Sequence, residues 1–307
     1  MVTPKVAVLL AAYNGVSWLS EQVSSILGQI EVDVEVFISV DSSQDGTEAW
    51  VSKVACENKN VKPLPYGCEF GGAAVNFYWL VREVDVTEFD YIAFSDQDDI
   101  WFPDKLIRSI RVLDGNKYDA YSSNVIAFWP DGRKSLINKA QAQREMDYLF
   151  EAAGPGCTYV LNKGLAVGVK EFILGNWAVV KEIKLHDWLF YAYARSHGYR
   201  WFIDPEPTMF YRQHSSNQLG ANIGFYAAFR RIHAIASGEW MLQAKTIAAL
   251  VSREEKSLVS LFGSFERIKM LKLAIAPFRY RRRFRDQFFL SLAFVFLVFY
   301  KPRKLRF

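Results

Sequence analysis

Apolar positions in the first third of the chain come in short unbroken runs, separated by polar turns and by stretches with helical spacing. Residues 6–12, 34–40 and 91–95 are continuous enough to be strands buried on both faces, with a weaker strand at 61–64. The intervening pattern predicts helices over 17–29 with Ser17 as N-cap, over 47–56, and near 76–82. Strands alternating with helices imply a parallel sheet with right-handed crossovers, in which ligands sit outside the carboxyl ends of the strands. Three polar loops follow strands 6–12, 34–40 and 91–95, at Tyr13-Asn14, Asp41–Asp45 and Asp96–Asp99, so all three are expected to meet at one crevice.

Further on, Pro103 suits the first turn of a helix to Leu113, residues 118–128 have strand character, and Pro130-Asp131-Gly132 is a turn. A strand is expected at 157–161, followed by a helix over 163–174 capped by Asn162. His186 opens another helix that Gly198 stops. Short strands are expected at 199–203 and 208–211, then a polar loop from Arg212, and a helical pattern from Gly224 onward.

At 307 residues with 51% hydrophobic and 23% charged content, the chain is a folded protein rather than a disordered one. Cys56, Cys68 and Cys157 are odd in number and lack metal-ligand spacing, which argues against a disulfide framework and for a reducing compartment. The apolar run at 6–12 ends too soon for an export signal. The net charge of +4 hides an asymmetry: residues 277–307 carry nine basic side chains and one acid, Asp286, so the rest of the chain is mildly acidic.

The densest chemistry is Ser95-Asp96-Gln97-Asp98-Asp99-Ile100-Trp101, three carboxylates placed straight after a buried strand. Such a cluster repels itself unless it is solvated or holds a cation, and oxygen ligands favour hard ions such as Mg²⁺ or Mn²⁺. The plainer reading is an acidic turn that caps the following helix.

Taken in order, Ala12-Tyr13-Asn14-Gly15, Asp41-Ser42-Ser43-Gln44-Asp45-Gly46-Thr47, Asp96-Gln97-Asp98-Asp99 and His186-Asp187-Trp188 resemble the motifs of family 2 glycosyltransferases. Tyr211-Arg212-Gln213-His214, with Asn217 and Gly220 after it, is similar to the branch that transfers rhamnose from a dTDP-linked donor. The resemblance covers roughly residues 5–222. It implies a GT-A fold, a Rossmann-like nucleotide-binding mixed sheet flanked by helices, with a donor half over about 1–115, an acceptor half over about 116–222, and a helical C-terminal region over 223–307.

By the same resemblance, Ala12, Tyr13 and Asn14 border the nucleoside, and Asp41 accepts the pyrimidine ring N–H, which separates uracil or thymine from cytosine. Asp45 joins the donor site or caps a helix. Asp96 contacts the ribose or the metal's water shell, Asp98 binds the divalent metal (Mg²⁺ or Mn²⁺), His214 is its late ligand, and Arg212 holds the diphosphate or sugar. Asp187 is the general base that takes the acceptor proton as the hydroxyl attacks from the face opposite the leaving group. A helix N-terminus there is expected to keep it ionised but weaken it as a base. Gly156 and Cys157 lie beneath the acceptor. Asp99 either caps the helix behind the site or touches the acceptor, and Trp101 and Trp188 offer faces to a sugar or belong to the core. Many relatives carry Glu where this chain has His186, so its role stays open.

The implied activity is metal-dependent inverting transfer of a sugar, L-rhamnose from dTDP-L-rhamnose, onto a lipid-linked or growing surface polysaccharide. A UDP-hexose or UDP-N-acetylhexosamine transferase and a non-catalytic nucleotide-sugar binding module are the other readings. Residues 288–300 are nearly all apolar but too few to span a bilayer. Flanked by Arg279–Arg285 and Lys301–Arg306, they read as a segment lying at the surface of the cytoplasmic membrane, on its inner face, or as a buried helix. No recognition motif points to nucleic acid.

Overall fold

The structure, a computed structural model, describes residues 3–214, 237–252 and 267–300. Asn217, Gly220, the boundary at 222/223 and the basic run Lys301–Arg306 lie outside the described residues.

Nine strands form one sheet: β1 (Lys5–Ala12), β2 (Asp33–Val40), β3 (Val61–Pro63), β4 (Tyr91–Ser95), β5 (Ile100–Trp101), β6 (Ala120–Phe128), β7 (Lys134–Ile137), β8 (Val160–Asn162) and β9 (Trp201–Arg212). Their order is β3-β2-β1-β4-β8-β6-β9-β5, with β7 paired to β6. The first four strands are parallel, as the alternating pattern predicts. The second half is mixed: β8 runs antiparallel to β4 and β6, β9 parallel to β6, and β5 antiparallel to β9. Register brings Ala12 beside Val40 and Leu10 beside Ser95, so β1, β2 and β4 end at nearly the same level and release their loops into the same space.

Helices α1 (Val16–Leu27), α2 (Thr47–Glu57) and α4 (Lys105–Asn116) cover one face, while α3 (Ala73–Glu83), α5 (Lys163–Gly175) and α7 (His186–Ser196) cover the other, with the single turn α6 (Trp177–Val180) after α5. The two-residue period of β1 divides it between the layers: Val6, Val8, Leu10 and Ala12 join one core, and Ala7, Leu9 and Ala11 the other. Both faces being covered explains why β1 reads as a continuous apolar run.

The C-terminal helices α8 (Glu239–Val251), α9 (Arg267–Ile275) and α10 (Phe284–Phe299) share the α3/α5/α7 core through residues such as Met241, Ile247, Leu273 and Phe294. From α10 alone, burial of Leu290, Phe294 and Leu297 contributes roughly 1.5–3 kcal/mol per side chain. No helix of the described residues is long and apolar enough to cross a membrane.

Several local expectations change. Helix α1 starts at Val16 rather than behind a Ser17 cap. Its first amides are satisfied from the neighbouring loop, Gly15 N donating to Thr47 Oγ1 (2.8 Å) and Val16 N to Asp45 Oδ2 (3.1 Å). Pro103 stands before the Asp104 cap of α4 rather than in its first turn. The strand expected at 157–161 begins as a 3₁₀ turn, Gly156–Thr158, because Thr158 N and Oγ1 both donate back to Pro155 O; only Val160–Asn162 is extended. The two short strands at 199–211 are one, β9, whose register on β6 shifts near Pro205 and Pro207, residues with no N–H for the ladder.

Candidate active site

The three polar loops do meet. Gln97, a residue given no role by the sequence reading, clamps the backbone of Tyr13 from both sides: Tyr13 N donates to Gln97 Oε1 (2.7 Å) and Gln97 Nε2 donates to Tyr13 O (2.9 Å). A Cβ on Gly15 would stand 2.1 Å from that Oε1, which explains the glycine. Asn14, with φ of 45°, bridges to the second loop by donating its N–H to Ser43 Oγ (3.0 Å) and accepting from Gln44 N (2.9 Å). Tyr13 is exposed at the rim and Ala12 is buried beneath it.

Asp41 is buried, and its carboxylate accepts from Ser42 N (2.9 Å), Phe70 N (2.9 Å) and Gly71 N (3.1 Å), so it pins the loop before α3. Asp45 serves as the capping residue: Oδ1 accepts from Thr47 N (3.0 Å) and Thr47 Oγ1 (2.6 Å), and Oδ2 from Val16 N. Burial pushes its carboxyl upward, but the hydrogen bonds from Thr47 and Val16 outweigh this and hold it below the usual carboxylate range. The N-termini of α1 and α2 are thereby tied together by the two oxygens of Asp45.

Asp98 and His214 face each other, Oδ2 to Nε2, at 2.7 Å. The imidazole lies flat on Trp18, centroids 4.2 Å apart and planes 13° apart, which fixes the direction of its nitrogen. Arg212 completes this wall: Nε donates to Asp98 O (2.8 Å), a terminal nitrogen pairs with Glu21, and the guanidinium rests on Phe128. A carboxylate oxygen and an imidazole nitrogen converging on one point suit a divalent ion that takes both, as Mn²⁺ does. A second convergence, Asp96, Asp99 and Cys157 within 4.8 Å, lies deeper. Beside it lies the fully buried Lys105, whose Nζ donates to Cys157 O (2.6 Å) and sits 3.5 Å from the centre of the Trp101 ring. Burial lowers Lys105 to about 7 against the pull of Cys157, Asp99 and Asp96. Burial likewise raises Asp96 and Asp99, with the charge of Asp98 adding to both.

The structure bears on the alternatives for several acceptor-side residues. Asp99 has no exposed surface, and its Oδ1 accepts from Arg212 N (3.2 Å), so it braces β9. Trp101 is buried under Lys105. Trp188 is buried and donates its indole N–H to Tyr148 O (2.8 Å), so both tryptophans belong to the core. Cys157 is buried, its backbone carbonyl used by Lys105.

Asp187 opens α7 as expected and keeps part of its surface toward the crevice. Its Oδ1 accepts from Trp188 N (2.8 Å). Burial raises the carboxyl to about 6, more than the Trp188 amide and Lys139 lower it. The lowering expected from the helix N-terminus is therefore outweighed, and burial holds the carboxyl above the usual aspartate range. His186 packs on Phe77 at 4.0 Å between ring centres, and burial lowers it to about 3, so it is neutral. Gly156 is required by this packing, since a Cβ would meet His186 Nε2 at 2.2 Å and Asp187 Cβ at 3.2 Å. Tyr159 Oη joins the wall to the helix, donating to Gly154 O (3.2 Å) and to Asp187 O (3.3 Å).

Part of the basic run is engaged within the protein. Arg279 makes a two-pronged pair with Glu145 (3.1 and 2.9 Å), Arg281 pairs with Glu151 (3.6 Å), and Arg282 is buried between Asp147 and Glu151. Of the residues missed, Lys105 had a signal: it shares the buried stripe of α4 with Ser109 and Leu113 at four-residue spacing. Arg282 had none, because its partners lie some 130 residues away.

Polar loops gathered at the carboxyl ends of β1, β2 and β4, with the facing Asp98–His214 pair and Asp187 at the start of α7, match on a sheet of this order the layout of a nucleotide-sugar transferase. The sequence matches Glycosyl transferase family 2 over residues 7–158, and the chain belongs to that family, with a GT-A fold. Among particular relatives, the dTDP-rhamnosyl transferase RfbG of Shigella flexneri is 42% identical over 291 residues, covering 94% of this chain and all of that one. The UDP-Glc:alpha-D-GlcNAc-diphosphoundecaprenol beta-1,3-glucosyltransferase WfgD of Escherichia coli is 27% identical over 52% of this chain and 61% of its own. In structure, S. aureus TarS 1–349 in complex with UDP superposes with a TM-score of 0.57 at 16% identity, covering 96% of this chain and 81% of that one. The mannosyltransferase PcManGT of Pyrobaculum calidifontis, in complex with GDP-Man and Mn²⁺, gives 0.52 at 15% identity, with 97% and 87% covered.

Proposed function

We propose that this glycosyltransferase moves L-rhamnose from dTDP-L-rhamnose onto a lipid-linked or growing surface polysaccharide, with inversion at the anomeric carbon. The observation that carries the donor is the 42% identity to a dTDP-rhamnosyl transferase along its whole length. Residues 1–115 form the donor half and 116–222 the acceptor half. Asp41 reads the thymine ring, Ala12, Tyr13 and Asn14 border the nucleoside, and Asp96 and Arg212 lie toward ribose and diphosphate. Asp98 and His214 would hold Mg²⁺ or Mn²⁺, and such an ion would supply positive charge to offset that gained by the departing nucleoside diphosphate. Asp187 orients the acceptor hydroxyl and takes its proton, acting through proximity as well as basicity.

The protein rests on the inner face of the cytoplasmic membrane. Supporting this, α9, Phe278 and α10 turn an apolar face outward, with Phe284 and Phe299 85% and 83% exposed and Ile268, Ile275, Phe288 and Leu292 beside them. Lys272, Arg283 and Arg285 lie along the same helices and suit anionic headgroups.

Calorimetric titration with dTDP-rhamnose and a panel of UDP-sugars, with Mn²⁺ present, tests the donor. The expected result is tight binding of the dTDP-sugar alone; preferential binding of a UDP-hexose would replace rhamnose in this reading.

A further inference from the structure

Arg282 is the most enclosed charge of the C-terminal region: its side chain has no exposed surface. Nη1 lies 3.7 Å from Asp147 Oδ2, Nε 3.5 Å from Glu151 Oε1, and Nη2 donates to Ala152 O (2.6 Å), while its backbone N donates to Glu151 Oε1 (2.7 Å). All three partners sit on the segment that ends at Gly156, the wall facing Asp187. The same segment is fastened to α7 by Tyr191 Oη donating to Asp147 Oδ1 (2.9 Å) and by the Trp188–Tyr148 bond. Arg282 is thus the keystone of a buried charge network that joins the tail, the wall and the helix of the candidate base, without touching the crevice.

A buried ion cluster is no better for stability than well-packed apolar side chains of the same size. What Arg282 adds is position: one charge-assisted hydrogen bond to Ala152 O, with the Asp147 and Glu151 carboxylates drawn in beside the guanidinium at 3.7 and 3.5 Å. We propose that Arg282 is a positioning residue for glycosyl transfer, fixing residues 147–156 against α7 so that acceptor and Asp187 meet in register. The proposal rests on the reading of Asp187 as base and of that segment as the acceptor wall. It also means that the tail is part of the acceptor site and not only an anchor, so removing residues 277–307 would disable transfer even with the protein held at the membrane.

The test uses the full chain with Arg282→Met, Arg282→Lys, and a triple variant, Arg282→Met with Asp147→Asn and Glu151→Gln. The triple variant leaves no carboxylate beside the missing cation, while Arg195 and Arg281, which lose those partners, keep some contact with solvent; urea unfolding checks that it keeps the fold. Three quantities are measured: dTDP affinity with Mn²⁺, sedimentation with anionic phospholipid vesicles, and transfer of radiolabelled rhamnose from dTDP-rhamnose into the lipid extract of membranes from cells lacking the gene, at varied extract concentration. The expected result is dTDP affinity and vesicle binding within threefold of wild type, with kcat/KM for the extract down at least thirtyfold in the triple variant and by less in Arg282→Lys. Transfer within threefold of wild type in the triple variant overturns the proposal, as does a loss of dTDP affinity that parallels the loss of transfer. Asp187→Asn in the same assay separates the two readings: if it retains transfer, the base assignment fails by itself, whatever the Arg282 variants show.

Discussion

Gly156→Ala is the smallest change that probes the acceptor wall. The added carbon would stand 2.2 Å from His186 Nε2, 2.9 Å from His186 Cε1 and 3.2 Å from Asp187 Cβ, whereas non-bonded heavy atoms need roughly 3.5 Å. Something must move by about 1 Å. The His186 ring has nowhere to go, being packed on Phe77 and near Phe94 and Phe190, so the displacement falls on the wall and on the start of α7. Overpacking of this kind costs about 1–3 kcal/mol of stability, and a misplacement of about 1 Å at a reacting group costs on the order of 100-fold in rate. The double variant Gly156→Ala/His186→Ala removes the two closest contacts and leaves only the 3.2 Å approach, so it should regain part of both losses. A double-mutant cycle on urea unfolding and on transfer from dTDP-rhamnose measures this directly. Additive effects of the two substitutions, or transfer by Gly156→Ala within threefold of wild type, would show that the His186 contact does not shape the site.

Three further outcomes are expected. Asp187→Asn abolishes transfer but leaves dTDP binding intact. In the wild type, transfer falls as pH drops through about 6, because the base is then protonated. Since the folded carboxyl titrates above its unfolded value of 3.8, its ionisation opposes folding as pH rises from about 4 to 6, so urea unfolding should show Asp187→Asn to be more stabilising at pH 8 than at pH 4. Asp98→Ala and His214→Ala each weaken Mn²⁺-dependent dTDP binding at least tenfold by calorimetry, and chelation does the same to the wild type; binding that ignores chelator would remove the metal from this site. Replacing Phe284, Phe288 and Phe299 by Ser lowers sedimentation with anionic vesicles several-fold while dTDP affinity holds, because these side chains are exposed and lie outside the core.

What was legible in the sequence follows from which signals are local. The strands of the donor half are covered on both faces, so they stand out as apolar runs, and the loops at their ends announce a crevice. His214 and Asp98 were paired through motif order, and they face each other. The faces of Trp101 and Trp188 were not legible, because an aromatic next to an acidic motif reads alike whether it points into the crevice or into the core. Gln97 was hidden by its acidic neighbours, although its position at a strand end aims it at the backbone of the adjacent loop. Part of the tail was not legible for a related reason: Arg279, Arg281 and Arg282 read as solvated basic groups until Glu145, Asp147 and Glu151 are brought against them by the fold, while Arg285 stays exposed.

The Arg282 network also bears on how the protein is made. The Glu151 carboxylate leaves the ribosome some 130 residues before Arg281 and Arg282 do, whereas Asp147 gains Arg195 much sooner. At ordinary rates of synthesis that interval is on the order of ten seconds. During it the parallel half of the sheet has everything it needs to close, while the acceptor half carries a carboxylate that cannot be buried unpaired without a large cost. The nascent chain would then hold a formed nucleotide crevice beside an unfinished wall, and on the proposed attachment the segment that completes the wall would also be the one that meets lipid, so that the last folding step and arrival at the membrane would coincide.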